Sequence, residues 1–158
     1  MLSINNLSVS IGNVNILRKI NVKVPDKKLI GLIGRNGAGK TTLMRTIIGL
    51  LHHNQGEIFF ENQELLASTA AFQRANLGIG YMPEDRRLVP ELSVKENILV
   101  AAWATKQNSP DKKLGHIYQM IPELCELSER KASLLSGGQQ KLVSLARALI
   151  AGDKLLLL

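Results

Sequence analysis

The fold is decided by eight consecutive residues, Gly34-Arg35-Asn36-Gly37-Ala38-Gly39-Lys40-Thr41. They match the pattern G-x-x-x-x-G-K-[ST], which joins a glycine-rich loop to a cation and a hydroxyl. Glycines let successive backbone N–H groups form a concave nest, because no side chain blocks the approach of an anion. Lys40 adds a mobile positive charge for the β- and γ-phosphates, and the hydroxyl of Thr41 can bind Mg²⁺. The stretch predicts a site for a nucleoside triphosphate; the alternative is a glycine-rich turn that precedes a lysine by chance.

The flanks of this loop favour the phosphate site. Leu29–Ile33 is apolar throughout, which is typical of a strand buried on both faces. Thr41–Leu51 has the composition of a helix, whose positive N-terminal end would point at the phosphates. The sequence therefore predicts a strand, a phosphate-binding loop and a helix in succession.

A second glycine-capped helix is predicted after Leu135-Ser136-Gly137-Gly138-Gln139, with apolar residues at helical spacing from Leu142 to Leu149. Ser136 and Gln139 satisfy the capping-box pattern S-x-x-Q. That pattern does not explain Gly137 and Gly138, since glycine costs a helix about 1 kcal/mol per residue. Taken alone, the motif is either a plain cap or a second anion receptor.

Composition excludes several classes of protein. The 158 residues include 20 Lys and Arg, 13 Asp and Glu and one Cys, and 45% are hydrophobic. This composition is typical of one folded domain, neither disordered nor disulfide-stapled. The net charge of +7 comes from scattered basic pairs and the aromatic content is 4%, so a nucleic-acid platform is not predicted. The longest apolar run, Ile98–Ala104, is too short to span a membrane, and Met1 leads directly into patterned sequence, so we expect a cytoplasmic protein without a signal peptide.

The remaining elements follow from periodicity and turn residues. Predicted strands are Ser3–Val9, Val14–Val24, Glu57–Phe60, Leu77–Met82 and Leu155–Leu158, and predicted helices are 67–75, 94–106, 110–121 and the one after Ser136. Ser93 and Glu96 form a further predicted capping box. The side chains with no predicted chemical role are His52 and His53 in a loop, His116 on a solvated helix face, Cys125 buried, and Trp103 in the core or facing a partner.

The two glycine motifs together resemble the ATP-binding cassette (ABC) ATPases, and the resemblance spans residues 1–158. It implies that the Walker A loop, Gly34–Thr42, binds ATP and Mg²⁺, with Lys40 in a catalytic role. In that family two subunits lie head to tail, so Ser136, Gly137, Gly138 and Gln139 would contact the γ-phosphate of ATP held by a partner.

Between these motifs, residues 79–88 are similar to ATP-binding subunits of branched-chain amino-acid, amide and urea importers. Most of the family has Gln where this chain has Glu84, a position that touches Mg²⁺ and the attacking water. The resemblance therefore implies a catalytic and metal-binding role for Glu84. From the residues alone, a solvated carboxylate beside Arg86 and Arg87 is the alternative.

Two departures from the family pattern limit what the resemblance implies. Ile11 replaces the aromatic residue that usually stacks on adenine, so we expect modest nucleotide affinity and poor base selectivity. The family continues the strand matching Leu155–Leu158 into an Asp for Mg²⁺ and a Glu that polarises water, and a switch His follows later; none of these is in the sequence. We therefore expect the chain to come from an incomplete reading frame, and to bind ATP but hydrolyse it poorly or not at all.

The sequence thus predicts an α/β fold: a P-loop core with a mainly parallel sheet and an antiparallel N-terminal layer (1–87), a helical subdomain (88–140) and a return to the core (141–158), together one incomplete domain. The resemblance implies an importer's ATP-binding subunit that dimerises with an identical or different second copy under membrane permease subunits, at the inner face of the membrane and without nucleic acid. Two alternatives stay open: a soluble ABC ATPase of translation or DNA repair, and a truncated module that binds ATP without hydrolysing it.

Overall fold

The computed structural model describes residues 1–158 and separates into two compact units, Met1–Arg74 and Ala75–Leu158. Each unit has its own buried apolar residues. The predicted organisation as one domain, with divisions after residues 87 and 140, stays a prediction.

The first unit is built on an antiparallel sheet of four strands: β1 (Leu2–Ile11), β2 (Val14–Val24), β3 (Gln55–Phe60) and β4 (Gln63–Glu64), in the order β2-β1-β3-β4. A turn at Gly12 and Asn13 joins β1 to β2, as the hairpin signal predicts. The sheet buries the apolar side chains Leu2, Ile4, Leu7, Val9, Ile58 and Phe60. The predicted antiparallel N-terminal layer is therefore present.

Helix α1 (Lys40–Ile47) follows the glycine-rich loop, and the short helix α2 (Ala71–Ala75) comes near the end of this unit. After α1 the chain turns at Gly49, whose φ is +81°. The N–H of Gly49 donates to Thr46 O at 3.1 Å and that of Leu50 donates to Arg45 O at 2.8 Å. This pair of bonds is the Schellman arrangement, which ends a helix and satisfies its last carbonyls.

Arg74 holds the same end of α1 from a distant part of the sequence. Its Nη1 donates to the carbonyls of Thr46 at 2.8 Å and Ile47 at 2.9 Å, and its Nη2 donates to Leu66 O at 2.7 Å. The side chain is fully buried, and burial lowers the pKa of its guanidinium from its usual value. A β-carbon at Gly49 would lie 2.9 Å from Arg74 Nε, so glycine is required both by the turn and by this guanidinium.

The second unit contains the helices α3 (Val94–Ala104), α4 (Pro110–Met120), α5 (Pro122–Glu126) and α6 (Gly137–Ala151), with a short 3-10 helix at Ala132–Leu134. Its strands β5 (Ile79–Tyr81) and β6 (Leu155–Leu157) pair in parallel. Apolar side chains from all four helices form one core, whose most buried members are Val94, Ile98, Ala102, Leu124, Val143 and Ala146. None of the helices has the length and apolar character needed to cross a membrane.

The structure differs from the sequence-based expectation at Leu29–Ile33. These residues form no strand, and Leu29 and Ile33 are 98% and 96% exposed. A strand exists only where a neighbouring strand takes up its backbone hydrogen bonds, and no strand of the first unit pairs with this segment. The predicted buried strand is therefore wrong for this structure.

The structure also differs from the prediction in the burial of single residues and in the bounds of short helices. Cys125 is exposed, although a buried thiol is predicted. The helix predicted over 67–75 is confined to α2, and α5 is an additional helix opened by Pro122. His52 and His53 lie in a loop and His116 is exposed on α4, as predicted. Trp103 is more than half exposed, so it does not lie in the core; the alternative that it faces a partner stays a prediction.

Candidate functional site

The loop Gly34–Gly39 is shaped by left-handed glycines. Gly37 and Gly39 have φ of +83° and +91°, which residues with a β-carbon rarely adopt. A β-carbon at position 39 would also lie 2.6 Å from Leu17 Cδ2 on β2. The N–H of Ala38 donates to Arg35 O at 3.1 Å, which closes the turn. The remaining loop residues, Gly34 and Asn36 among them, are exposed.

Lys40 lies across this loop. Its Nζ donates to the carbonyls of Gly34 at 2.8 Å and Arg35 at 2.9 Å, so the ammonium group is held where the loop begins. The two carbonyls are neutral acceptors, and a phosphate oxygen in the same place would be a stronger partner because the hydrogen bond would be charge-assisted at both ends. These two hydrogen bonds place the positive charge of Lys40 beside the nest of backbone N–H groups.

The N-terminus of α1 has no side-chain cap, because its N-cap residue is Gly39. The helices α3 and α6, by contrast, both begin with a complete capping box. Uncapped N–H groups in a first turn are a ready site for an anion, and here they continue the nest formed by the loop. Thr41 and Thr42 are half-buried in this turn and carry hydroxyl oxygens of the kind that Mg²⁺ accepts.

The first turn of α6 is capped by its own side chains. Ser136 Oγ accepts from the N–H of Gln139 at 3.3 Å, and the N–H of Ser136 donates to Gln139 Oε1 at 3.0 Å. Gly137 and Gly138 are exposed, and β-carbons there would meet nothing closer than 3.6 Å and 4.0 Å. The chain itself therefore gives no steric reason for two glycines at this position.

The segment after β5 carries Glu84 and is held by α6. Arg86 Nη1 donates to Gln140 Oε1 at 2.9 Å, and the carbonyl of Arg86 accepts from Arg147 Nη2 at 2.6 Å. Arg147 Nη1 also donates to the carbonyl of Arg87 at 2.8 Å, and burial lowers the pKa of the Arg147 guanidinium from its usual value. Glu84 itself is exposed.

Arg86 and Arg87 both have positive φ, +58° and +49°. A non-glycine residue in this conformation costs on the order of 1–3 kcal/mol and persists only where its surroundings impose it. Here the hydrogen bonds that Arg147 on α6 donates to the carbonyls of Arg86 and Arg87 stabilise this conformation. The side chain of Arg87 differs from that of Arg86, because it is exposed and pairs with Asp85 at 2.8 Å.

A cleft of about 190 Å³ opens beside these arginines. It is lined on one side by residues 85–88 and Pro90, and on the other by Ala132, Ser133 and Gln140. Both walls belong to the second unit. The cleft is therefore a concave surface that borders the segment after Glu84 and the beginning of α6.

Ile11 ends β1, where it pairs with Val14 at the hairpin and is 49% exposed. The structure thus brings together the residues of the loop with Lys40 and Thr41, and separately Ser136–Gln139 with the arginines that follow Glu84. Sequence reasoning missed Arg74, Gln140 and Arg147 as supporting residues. Arg74 bonds to Thr46 over 28 residues, and Gln140 and Arg147 bond to Arg86 over 54 and 61 residues, so no local pattern marks these contacts.

The family model described as ABC transporter matches residues 17–158. The chain belongs to the ABC transporter family. The predicted resemblance is confirmed, and with it the α/β fold class, because a solved ATP-binding cassette of an ABC transporter, MJ1267 in its ADP conformation, superposes with a TM-score of 0.77 at 28% identity. That match covers 96% of this chain and 65% of the other.

Two curated relatives in the ABC transporter family are named for the transport of different substances. The high-affinity branched-chain amino acid transport ATP-binding protein BraG of Pseudomonas aeruginosa is 33% identical, over 100% of this chain and 67% of its own length. The lipopolysaccharide export system ATP-binding protein LptB of Haemophilus influenzae is 30% identical, over 100% of this chain and 66% of its own length. The chain thus spans about two thirds of these relatives. Because one is named for amino acid transport and the other for lipopolysaccharide export, the family does not determine the solute.

Proposed function

We propose that this chain is the nucleotide-binding part of an ABC transporter subunit that couples ATP binding and hydrolysis to the transport of a small solute. The observation that carries the proposal is the uncapped first turn of α1 behind a left-handed glycine loop, with Lys40 Nζ held at the start of that loop. A helix start with free N–H groups and a tethered cation suits a polyphosphate. The related cassette MJ1267, solved in an ADP conformation, supports a nucleotide as the ligand.

The residues of the loop have distinct tasks in this proposal. The backbone N–H groups of residues 34–42 bind the β- and γ-phosphate oxygens, and Lys40 exchanges two carbonyls for phosphate oxygens when the nucleotide arrives. Thr41 and Glu84 are the candidate Mg²⁺ ligands of this proposal, because each offers an oxygen atom of the kind that this ion prefers. Bound Mg²⁺ would neutralise phosphate charge. Ile11 would lie against the base, and its aliphatic side chain gives a weaker contact than an aromatic ring.

Ser136–Gln139 would face the nucleotide of a second ATP-binding subunit. The support is the exposure of Gly137 and Gly138, where no atom lies closer than 3.6 Å to an added β-carbon, so a group from outside the chain has room to approach. Helix α6 would then present its positive end to the γ-phosphate. Dimerisation would follow ATP binding, since each nucleotide would be shared by two subunits.

Membrane permease subunits would dock on the second unit and bring the chain to the inner face of the membrane. The cleft between residues 85–90 and 132–140 offers a concave surface that already includes the neighbours of Glu84. For the solute we propose branched-chain amino acids, with amides or urea as the next candidates, on the similarity of residues 79–88 to such importers. BraG supports the first choice, and LptB shows how far cargo varies at similar identity.

The test is calorimetric measurement of the equilibrium affinity for Mg-ATP, for the purified chain and for Lys40→Ala. We expect affinity to fall about 10- to 100-fold, because a charge-assisted hydrogen bond contributes roughly 1.5–3 kcal/mol. Lys28→Ala, an exposed lysine outside the loop, is the matched control and should bind like the parent.

Equal affinity of the parent and Lys40→Ala, or no binding by a folded parent, would contradict the proposal. Release of inorganic phosphate is measured on the same samples. Tight binding without turnover would favour the non-hydrolysing module over the complete catalytic cycle.

A further inference from the structure

The segment that carries Glu84 and the first turn of α6 are joined by one residue, Arg86. Its guanidinium donates to Gln140 Oε1 at 2.9 Å. Its carbonyl accepts from Arg147 Nη2 at 2.6 Å and from Ser144 Oγ at 3.3 Å. Both the side chain and the backbone of Arg86 are therefore bound to the same helix.

The guanidinium lies beside Gly137, the first residue of that helix. A β-carbon at Gly137 would be 3.6 Å from Arg86 Nη1 and 3.7 Å from Nη2, which is ordinary van der Waals contact. Gln140, which accepts the bond from Arg86, also donates through Nε2 to Leu135 O at 3.3 Å, just before the cap residue Ser136. Arg86 thus reaches the turn that precedes α6 as well as α6 itself.

Arg86 is also two residues from Glu84. Two peptide units span at most about 7 Å, so the backbone of Glu84 cannot lie farther than that from Arg86. The left-handed conformation at both Arg86 and Arg87 leaves this short connection little freedom, because it exists only while α6 imposes it.

We propose that Arg86 is a positioning residue that makes the segment of Glu84 and the first turn of α6 move together. This rests on the proposed function, in which Glu84 serves the chain's own nucleotide and Gly137 and Gly138 serve the nucleotide of a second subunit. Arg86 then transmits the state of one nucleotide site to the other. It touches neither nucleotide, and its role is exerted through Gln140 and through its own carbonyl.

The chain offers a matched control in the neighbouring arginine. Arg87 has the same charge and backbone conformation, but its side chain pairs with Asp85 at the surface instead of with α6. The comparison is therefore Arg86→Met against Arg87→Met, with Arg86→Lys as the conservative variant that keeps the charge and a donor. Amide hydrogen exchange is measured at residues 84–88 and at Gln139 and Gln140, whose N–H groups bond to Ser136.

Without nucleotide, we expect Arg86→Met to accelerate exchange at both segments about fivefold or more, because a hydrogen bond to a charged group is lost. Arg87→Met should stay within about twofold of the parent, and Arg86→Lys should recover part of the protection. With Mg-ATP, Arg86→Met should bind with unchanged affinity and still respond at residues 84–88. It should no longer pass that response to Gln139 and Gln140.

The proposal is overturned if Arg86→Met exchanges like Arg87→Met, or if its nucleotide response at Gln139 and Gln140 matches that of the parent. A parent that does not respond to Mg-ATP contradicts the proposed function, whereas exchange without nucleotide still decides whether Arg86 links the two segments. Gln140→Met removes the same bond from the other side, which provides a second route if Arg86→Met does not fold. The double variant should then add nothing to either single one.

Discussion

The chain contains two glycine-rich helix starts that look alike in sequence and differ in the reason for their glycines. At Gly37 and Gly39 the backbone is left-handed, and a side chain at position 39 would collide with Leu17. At Gly137 and Gly138 a β-carbon would make only ordinary contacts, at 3.6 Å and 4.0 Å, and the cap is supplied by Ser136 and Gln139. The first start needs glycine in order to fold. The second has no such steric need for glycine.

The same contrast holds for the free N–H groups. Helix α1 has no side-chain cap, so its first turn is available to a ligand from the outset. In helix α6 the N–H of Gln139 already donates to the side chain of Ser136, so a ligand at this turn would contact the Ser136 hydroxyl as well as the remaining backbone N–H groups. The contrast can be tested by substitutions that ought to act differently at the two starts.

The largest effect is expected for Gly39→Ala. Left-handed strain and the displacement of the buried Leu17 side chain should lower the free energy of unfolding by about 2–3 kcal/mol. Gly37→Ala, with similar φ but nothing within 4 Å of its β-carbon, should lose only about 1 kcal/mol. Urea unfolding of both variants measures the difference, and equal losses would show that the contact with Leu17 is unimportant.

Ser136→Ala should cost about 1 kcal/mol, the usual loss for an N-cap serine. The hydroxyl accepts the N–H of Gln139, and alanine leaves that N–H to water. Ser133→Ala is the control, since the exposed Ser133 bonds through its backbone N–H to Pro90 O. An unchanged unfolding midpoint for Ser136→Ala would mean that the first turn of α6 is not stabilised by its cap.

Gly138→Ala should act in the opposite direction and stabilise the chain by about 0.5–1 kcal/mol, because alanine is the better helix former and the site is open. Gly115→Ala, at an exposed glycine within α4, is the matched control and should gain a similar amount. If thermal unfolding shows Gly138→Ala destabilised while Gly115→Ala is stabilised, the glycine serves the fold and the contrast is wrong. Under the proposed function, the stabilised Gly138→Ala should also lose ATP-dependent dimerisation, seen by light scattering.

The smallest effect concerns the second capping box, at α3. Glu96 accepts the N–H of Ser93 at 2.8 Å, and this hydrogen bond lowers the pKa of its carboxyl below 4.5. A lowered folded-state pKa means that the stabilisation is complete above pH 4.5 and is lost as the pH falls through the lowered value. Thermal unfolding is measured as the pH is lowered from 4.5. The parent should lose the stability that comes from the Glu96 carboxylate, and Glu96→Gln should not, because its capping box then has a glutamine that does not titrate, as at Gln139. The same acid profile in both proteins would show that this cap does not contribute to the pH dependence.

The features predicted well from the sequence are those whose partners are near in sequence. Both capping boxes join residues three apart, and the loop around Lys40 closes within six residues. Their geometry follows from residue type and spacing, and the structure has the hydrogen bonds that the patterns S-x-x-E and S-x-x-Q predict.

The features predicted badly depend on distant neighbours. The apolar run Leu29–Ile33 has the composition of a buried strand, but a strand also needs a paired neighbour, and the run is exposed. Cys125 lies between two leucines yet faces outward, because a helix turns each residue about 100° from the last. Arg86 and Arg147 are ordinary arginines in sequence, and only folding shows that one holds the backbone of the other. The roles assigned to Glu84, Ile11 and Ser136 toward nucleotide stay predictions.

The way α1 ends has a consequence for how its other end responds to ligand. Arg74 and the turn at Gly49 anchor the last carbonyls of the helix to buried protein groups instead of to water. The helix therefore cannot easily unwind or slide at its far end when charge arrives at Lys40. We therefore expect adjustment to a bound anion in the loop that precedes α1 and not at the end of the helix. Gly49 and Arg74 act together, because a larger residue at position 49 should displace the Arg74 guanidinium. The last carbonyls of α1 would then lose these hydrogen bonds, and the helix would be held less firmly.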